Sequence, residues 1–288
     1  MIAAEMPRPT SAERIVAAVL FGAAGLVTVA VFSPWVPLLT GTKGLMGRIG
    51  LMVALLGAAL IARRTSRWNK YWQLLYGLFV LLAASSADWY VGNALIRMNA
   101  LDPSTPRGMA FQKLADMIVI AGVVLLLTRI SGTSPGSIYV QKGKLRRGIV
   151  IGVIAFVASA AVAIPIAQLM FKAGDLTVTQ ILQWSPWVLL FVLTSATDEE
   201  IMFRGLFLRK LEPFVGALLA NCLVALVFTG LHAVVTYTSD QLGFLAATLP
   251  LAIAWGYIMQ KTDGIWGSIL FHAGMDIPIV LGLFSVAS

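Results

Sequence analysis

Charge is what this sequence has least of. Lys, Arg, Asp and Glu make up 12% of its 288 residues, where a soluble domain carries about 25%. With 59% hydrophobic residues and a mean hydropathy of +0.87, the shortage excludes an ordinary soluble fold. Cysteine is nearly absent too. The single Cys222 excludes an internal disulfide, and its apolar run marks it as a small buried residue and not a nucleophile. There are only two histidines, and no HExxH pairs two ligands on one helix face. There is no internal repeat, no low-complexity segment and no soluble domain. The first apolar run lacks a small-residue cleavage site followed by a polar region, so it reads as a retained span and not a signal peptide. The net charge of +8 is read as Lys and Arg placed in cytoplasmic loops, with no nucleic-acid partner implied.

What remains is a series of long apolar runs. At ~20 residues per span they predict an all-α, polytopic transmembrane helix bundle of about eight to nine spans. The runs lie near 14–39, 45–62, 71–96, 110–129, 148–171, 186–211, 214–235, 242–261 and 264–284. Residues 1–12 form a polar tail. The longest polar connection, 130–147, divides an N-terminal transmembrane part of open role, 13–147, from a C-terminal core, 148–288. The basic residues favour one side of these spans, with Arg63, Arg64, Arg67 and Lys70 in one loop and Lys142, Lys144, Arg146 and Arg147 in another. The expectation is an integral, multi-pass protein of the cell membrane with a cytoplasmic N-terminus.

Against this background Asp198, Glu199, Glu200 and Arg204 stand out, because they interrupt the sixth apolar run. Each ionisable group at membrane depth costs at least ~2.5 kcal/mol. The two histidines, His232 and His272, lie in the seventh and ninth runs, and Asp276 follows His272 by one helical turn. Glu200 and Arg204 are four apart and share a helix face, so they can pair; Glu199 points elsewhere and is the freer base. Asp88, in the third run, reads as a helix-pairing residue. Glycines at 205, 230, 267 and 274 permit close helix approach near the site.

Two chemistries fit Glu, His, His and Asp. A carboxylate and an imidazole on one water make it a nucleophile, with the second imidazole at the developing oxyanion. The other is zinc, with Glu199, His232 and His272 as ligands. The motifs Glu199-Glu200-x-x-x-Arg204, Phe228-x-x-x-His232 and His272-x-x-x-Asp276 resemble those of the CPBP family. These are CAAX-prenyl-protease-like intramembrane proteases, also called the bacteriocin-processing or Abi family. The resemblance covers roughly 148–285. It implies an endopeptidase with its site in the bilayer, open to the cytoplasm, acting on a membrane-associated peptide or protein. The lack of HExxH and the spread of the three candidate ligands over three helices predict that it needs no cofactor. Glu199 and His232 would activate water, Glu200 and Arg204 would support them, and His272 with Asp276 would form the oxyanion hole. The family often has Asn where this chain has Asp276, and an ionised Asp cannot donate to an oxyanion. Two other readings are kept: a catalytically silent scaffold or immunity protein, and a transporter with a Glu–His proton relay.

One expectation concerns level. With turns near Glu212-Pro213 and Asp263-Gly264, Glu200 stands ~18 Å, His232 ~28 Å and His272 ~12 Å from the turns at 1.5 Å per residue. A common site then requires tilted helices or displaced turns.

Overall fold

Inside a bilayer no water satisfies backbone N–H and C=O groups, so apolar runs of this length fold as helices. In the computed structural model, which describes residues 9–32 and 41–287, every regular element is helical. The helices are α1 (Ser11–Phe32), α2 (Gly41–Arg64), α3 (Trp72–Ala87), α4 (Asn93–Met98), α5 (Pro106–Ile130), α6 (Leu145–Ala161), α7 (Ala163–Met170), α8 (Val178–Glu200), α9 (Leu206–Val215), α10 (Ala217–Leu231), α11 (Gln241–Thr262) and α12 (Trp266–Ala287). Seven continuous stretches among the described residues are long and apolar enough to cross a membrane, and the bent pair α6–α7 makes up to eight. The polytopic all-α bundle is as expected. The tail at residues 1–8 and the expected end of the first span at 33–39 lie outside the described residues.

Two spans differ from their expected form. The fifth is broken at Val162, where α6 and α7 meet at 59°. The cause is Pro165: it has no N–H for the carbonyl of Ala161, and its ring crowds that carbonyl, so the helix cannot run through. The sixth begins well before Pro186. Thr177 and Gln180 close a capping box that starts α8 at Val178, and Pro186 is carried inside the helix. This span then passes through a π-helical turn, Ile201–Gly205, into α9.

The connection 130–147 is a packed element. Ile138 and Tyr139 are buried, and Tyr139 takes a left-handed conformation, φ 60°, that turns the chain back. Its carbonyl accepts from Ile265 N–H at 3.1 Å, and Lys144 N–H donates to Thr262 O at 2.6 Å. The basic loops gather at this end of the bundle. Lys70 pairs with Glu13, Tyr71 stacks on Phe214 at 5.2 Å, and Arg209 pairs with Asp263.

The tightest helix contact is α6 against α12, made possible by glycines on both. A Cβ on Gly267 would stand 2.6 Å from Gly148 O, and one on Gly274 would stand 2.6 Å from Phe156 Cα. Because these neighbours are backbone atoms, Gly267→Ala must push the helices apart, at a cost of about 1–3 kcal/mol. Its melting temperature in detergent is expected to drop by several degrees. Gly122→Ala on α5, where a Cβ meets nothing within 4 Å, should melt like wild type.

Candidate active site

Glu200, His232 and His272 come level because the turns fall elsewhere than the sequence suggested. Pro213 lies inside α9, and the chain reverses at Gly216, φ 80°. Glu200 and His232 are each 16 residues from Gly216, so α8–α9 and α10 carry them to equal height. The α11–α12 turn does not reach that depth. Asp263 pairs with Arg209, nine residues below Glu200, and His272 is nine residues beyond Asp263. Both legs are ~14 Å at 1.5 Å per residue. The mismatch expected from the sequence is therefore removed by turn placement.

Glu200 is the hub. It is fully buried, as is Arg204, whose Nη1 donates to Glu200 Oε1 at 2.5 Å. The same oxygen accepts from His272 Nδ1 at 2.8 Å; a carboxylate only accepts, so Nδ1 carries a proton. Ser268 Oγ donates to the other oxygen, Oε2. Arg204 also donates from Nε to Ala252 O at 3.3 Å. Its guanidinium stands 4.6 Å from the Phe228 ring and 5.0 Å from Trp255, where cation–π attraction offsets part of its desolvation. Trp255 in turn stacks on His272, centroids 3.9 Å apart at 11°. The imidazole of His272 is thus fixed by a carboxylate at one edge and an indole across its face.

Nε2 of His272 faces Glu199 Oε2 at 3.5 Å and Asp276 Oδ1 at 3.7 Å. His232 is held differently. Its Nδ1 lies 2.9 Å from Phe228 O, and a carbonyl can only accept, so Nδ1 is the donor and Nε2 keeps its lone pair in the neutral ring. Gln241 Nε2 donates to His232 O at 2.6 Å and ties this short 3-10 turn to α11. Glu199, His232 and Asp276 line one cavity of about 200 Å³ together with Lys113, Ser195 and Tyr237. A smaller apolar chamber of about 70 Å³ lies on the other side of His232 and His272, walled by Phe171, Phe244, Leu251 and Trp255.

Residues 180–278 match the family model described as type II CAAX prenyl endopeptidase Rce1-like. This segment is an Rce1-like domain. No curated protein and no solved structure gives a match. All six residues singled out in the sequence, from Glu199 to Asp276, fall inside the Rce1-like domain, within an integral membrane protein.

The fold brings those six together. Among the described residues no three His, Cys, Asp or Glu side chains form a metal-binding group. His272 directs Nδ1 at Glu200 and Nε2 between two carboxylates, and His232 directs Nδ1 at a carbonyl. Each Nδ1 bond leaves the Nε2 of its ring free, an arrangement that orients a base or oxyanion donor and equally a metal-ligating histidine.

Several residues of the site were not singled out from the sequence. Ser268 stands one turn before His272 and completes an i, i+4, i+8 stripe with Asp276, a pattern that was legible. Trp255 was one aromatic among many in an apolar run. Tyr237 lies in the loop between α10 and α11, and burial and the negative charges of Glu199 and Asp276 push its phenol above its ordinary range. It therefore presents a neutral O–H to the cavity. Lys113 belongs to α5, outside the Rce1-like domain altogether.

Proposed function

We propose that the protein is an intramembrane endopeptidase that hydrolyses a peptide bond of a membrane-associated protein or peptide, using a water activated by Glu199 and His232. The observation that carries this reading is the shared cavity: a carboxylate and an imidazole with a free Nε2 line one space with room for water, with a second, fixed imidazole 3.5 Å from the carboxylate.

In this reading Glu199 takes a proton from the water as its oxygen adds to the carbonyl carbon, and Nε2 of His232 accepts the water's other O–H and aims it. The carbonyl oxygen becomes an oxyanion and receives N–H from Nε2 of His272. Donation from both nitrogens requires a doubly protonated ring, with Glu200 accepting from Nδ1. Asp276 accepts at the same edge and positions His272; the Tyr237 O–H is a second donor. Glu199 then returns its proton to the leaving nitrogen as the C–N bond breaks. Every proton is accounted for without a metal or cofactor.

The family description points to substrates with CAAX tails, and the apolar chamber beside the histidines suits an apolar side chain next to the scissile bond. By the positive-inside rule the basic loops at the Arg209–Asp263 end support a cytoplasmic side for that end and for the N-terminus, in the cell membrane.

Purified protein in detergent, offered a library of membrane-anchored peptides, should cleave a subset with EDTA and without it at equal rates. Loss of cleavage after exhaustive chelation, restored by added zinc, would transfer Glu199 and the histidines to ligand roles. No cleavage of any peptide would leave the scaffold reading in place.

A further inference from the structure

The Rce1-like domain begins at residue 180, yet the wall of the cavity includes a residue of the N-terminal part. Lys113 lies near the start of α5, which packs along α8. Its ammonium stands 5.9 Å from the ring of Phe191. Phe191, Ser195 and Glu199 recur every four residues and form one face of α8, and all three line the cavity with Lys113. Lys113 therefore packs on the same helical face that ends in Glu199.

Its surroundings are strongly one-sided. Lys113 is within electrostatic range of Asp88, Asp116, Asp198, Glu199 and Asp276, contributed by four different segments of the chain. Among the described residues no carboxylate comes within 4.0 Å of its Nζ, and it makes no hydrogen bond. Asp198 is the complement of this state: it is 2% exposed, and its Oδ1 has no hydrogen-bond partner. A lysine in a membrane span costs ~2.5 kcal/mol or more and such residues pair or mark function. Here one ammonium is held among five carboxylates and committed to none of them.

We propose that Lys113 is a positioning residue of the active site, whose ammonium is the countercharge that fixes Glu199 and Asp198 at the end of α8. This rests on Glu199 as the base of the proposed hydrolysis. It also gives the N-terminal part a role: α5 brings an ammonium to the side of the site where the Rce1-like domain holds Asp198, Glu199 and Asp276. An anion receptor for substrate is disfavoured, because the same five carboxylates repel an incoming anion.

Two measurements on the full-length protein test this. In cleavage assays Lys113→Met should lower kcat by about 10- to 100-fold with KM within twofold, and Lys113→Arg should recover most of the rate. A loss confined to KM would make Lys113 a substrate contact, and unchanged kinetics would remove it from the site. The second measurement needs no activity. Thermal melts of Lys113→Met, Glu199→Gln and the double variant should show coupling, with the double losing clearly less than the sum of the singles. Additive losses would overturn the proposal even if the protein cleaves nothing, in which case the hydrolytic reading fails separately. Should Lys113→Met not fold, Lys113→Gln combined with Glu199→Gln gives the same cycle with a smaller perturbation.

Discussion

Glu199→Ala and His232→Ala should each lower peptide cleavage by at least about 10²- to 10⁴-fold, the range supplied by a positioned acid–base group. The two act on one water, so their effects should not multiply. The double variant is expected to fall only slightly below the worse single, as for groups that work as a unit. Folding should survive. Glu199 and His232 line a cavity, so truncating either enlarges an existing space and leaves no buried ion unpaired beyond the Lys113 cluster. His232 is held through its own backbone-directed Nδ1 bond, and its ring contacts with Phe228 and Phe244 belong to the wall of the cavity. Melting temperatures within a few degrees of wild type, with cleavage lost, are the expected pair of results. Wild-type turnover in either single variant would remove this mechanism.

The residue types of this site were legible in the sequence because the membrane makes charge conspicuous. Six polar residues in three apolar runs could be picked out with no structure, and the Glu200–Arg204 spacing correctly implied a pair. The sequence did not reveal how the helices end. Pro213 looked like a turn but sits inside α9, two residues before its end, where it removes the bond to Arg209 O and the helix stops soon after. The reversal belongs to Gly216, whose positive φ needs a glycine. Pro165, the third residue of α7, breaks the fifth span, while Pro186, which was expected to start the sixth, sits inside α8. A proline's consequence depends on what lies at i−4 and what packs beside it, which is tertiary information. The same is true of Glu200. Spacing paired it with Arg204, but its bonds to His272 and Ser268 cross from α8 to α12, a helix 68 or more residues away, and no local pattern encodes that contact.

That hub yields the second large effect. Glu200→Gln keeps the shape of the side chain and removes its charge, leaving Arg204 fully buried without a counter-ion. Arg204 already has one unpartnered nitrogen, Nη2, and no solvent to turn to. Removing one member of a buried pair costs about 3–5 kcal/mol because the other is stranded. Arg204→Met should cost a similar amount from the opposite side, leaving Glu200 with only His272 and Ser268. Both variants are expected to melt well below wild type in detergent. The double variant should recover a large part of the loss, since two neutral side chains strand nothing. Activity should not return with stability: His272 depends on the Glu200 carboxylate to hold its Nδ1–H, and without that acceptor its Nε2 is no longer aimed beside Glu199. A double variant that regains both melting temperature and cleavage would show that the Glu200–His272 bond is structural only. Single variants that melt like wild type would show that water reaches Arg204, and that this pair is not the closed core its burial implies.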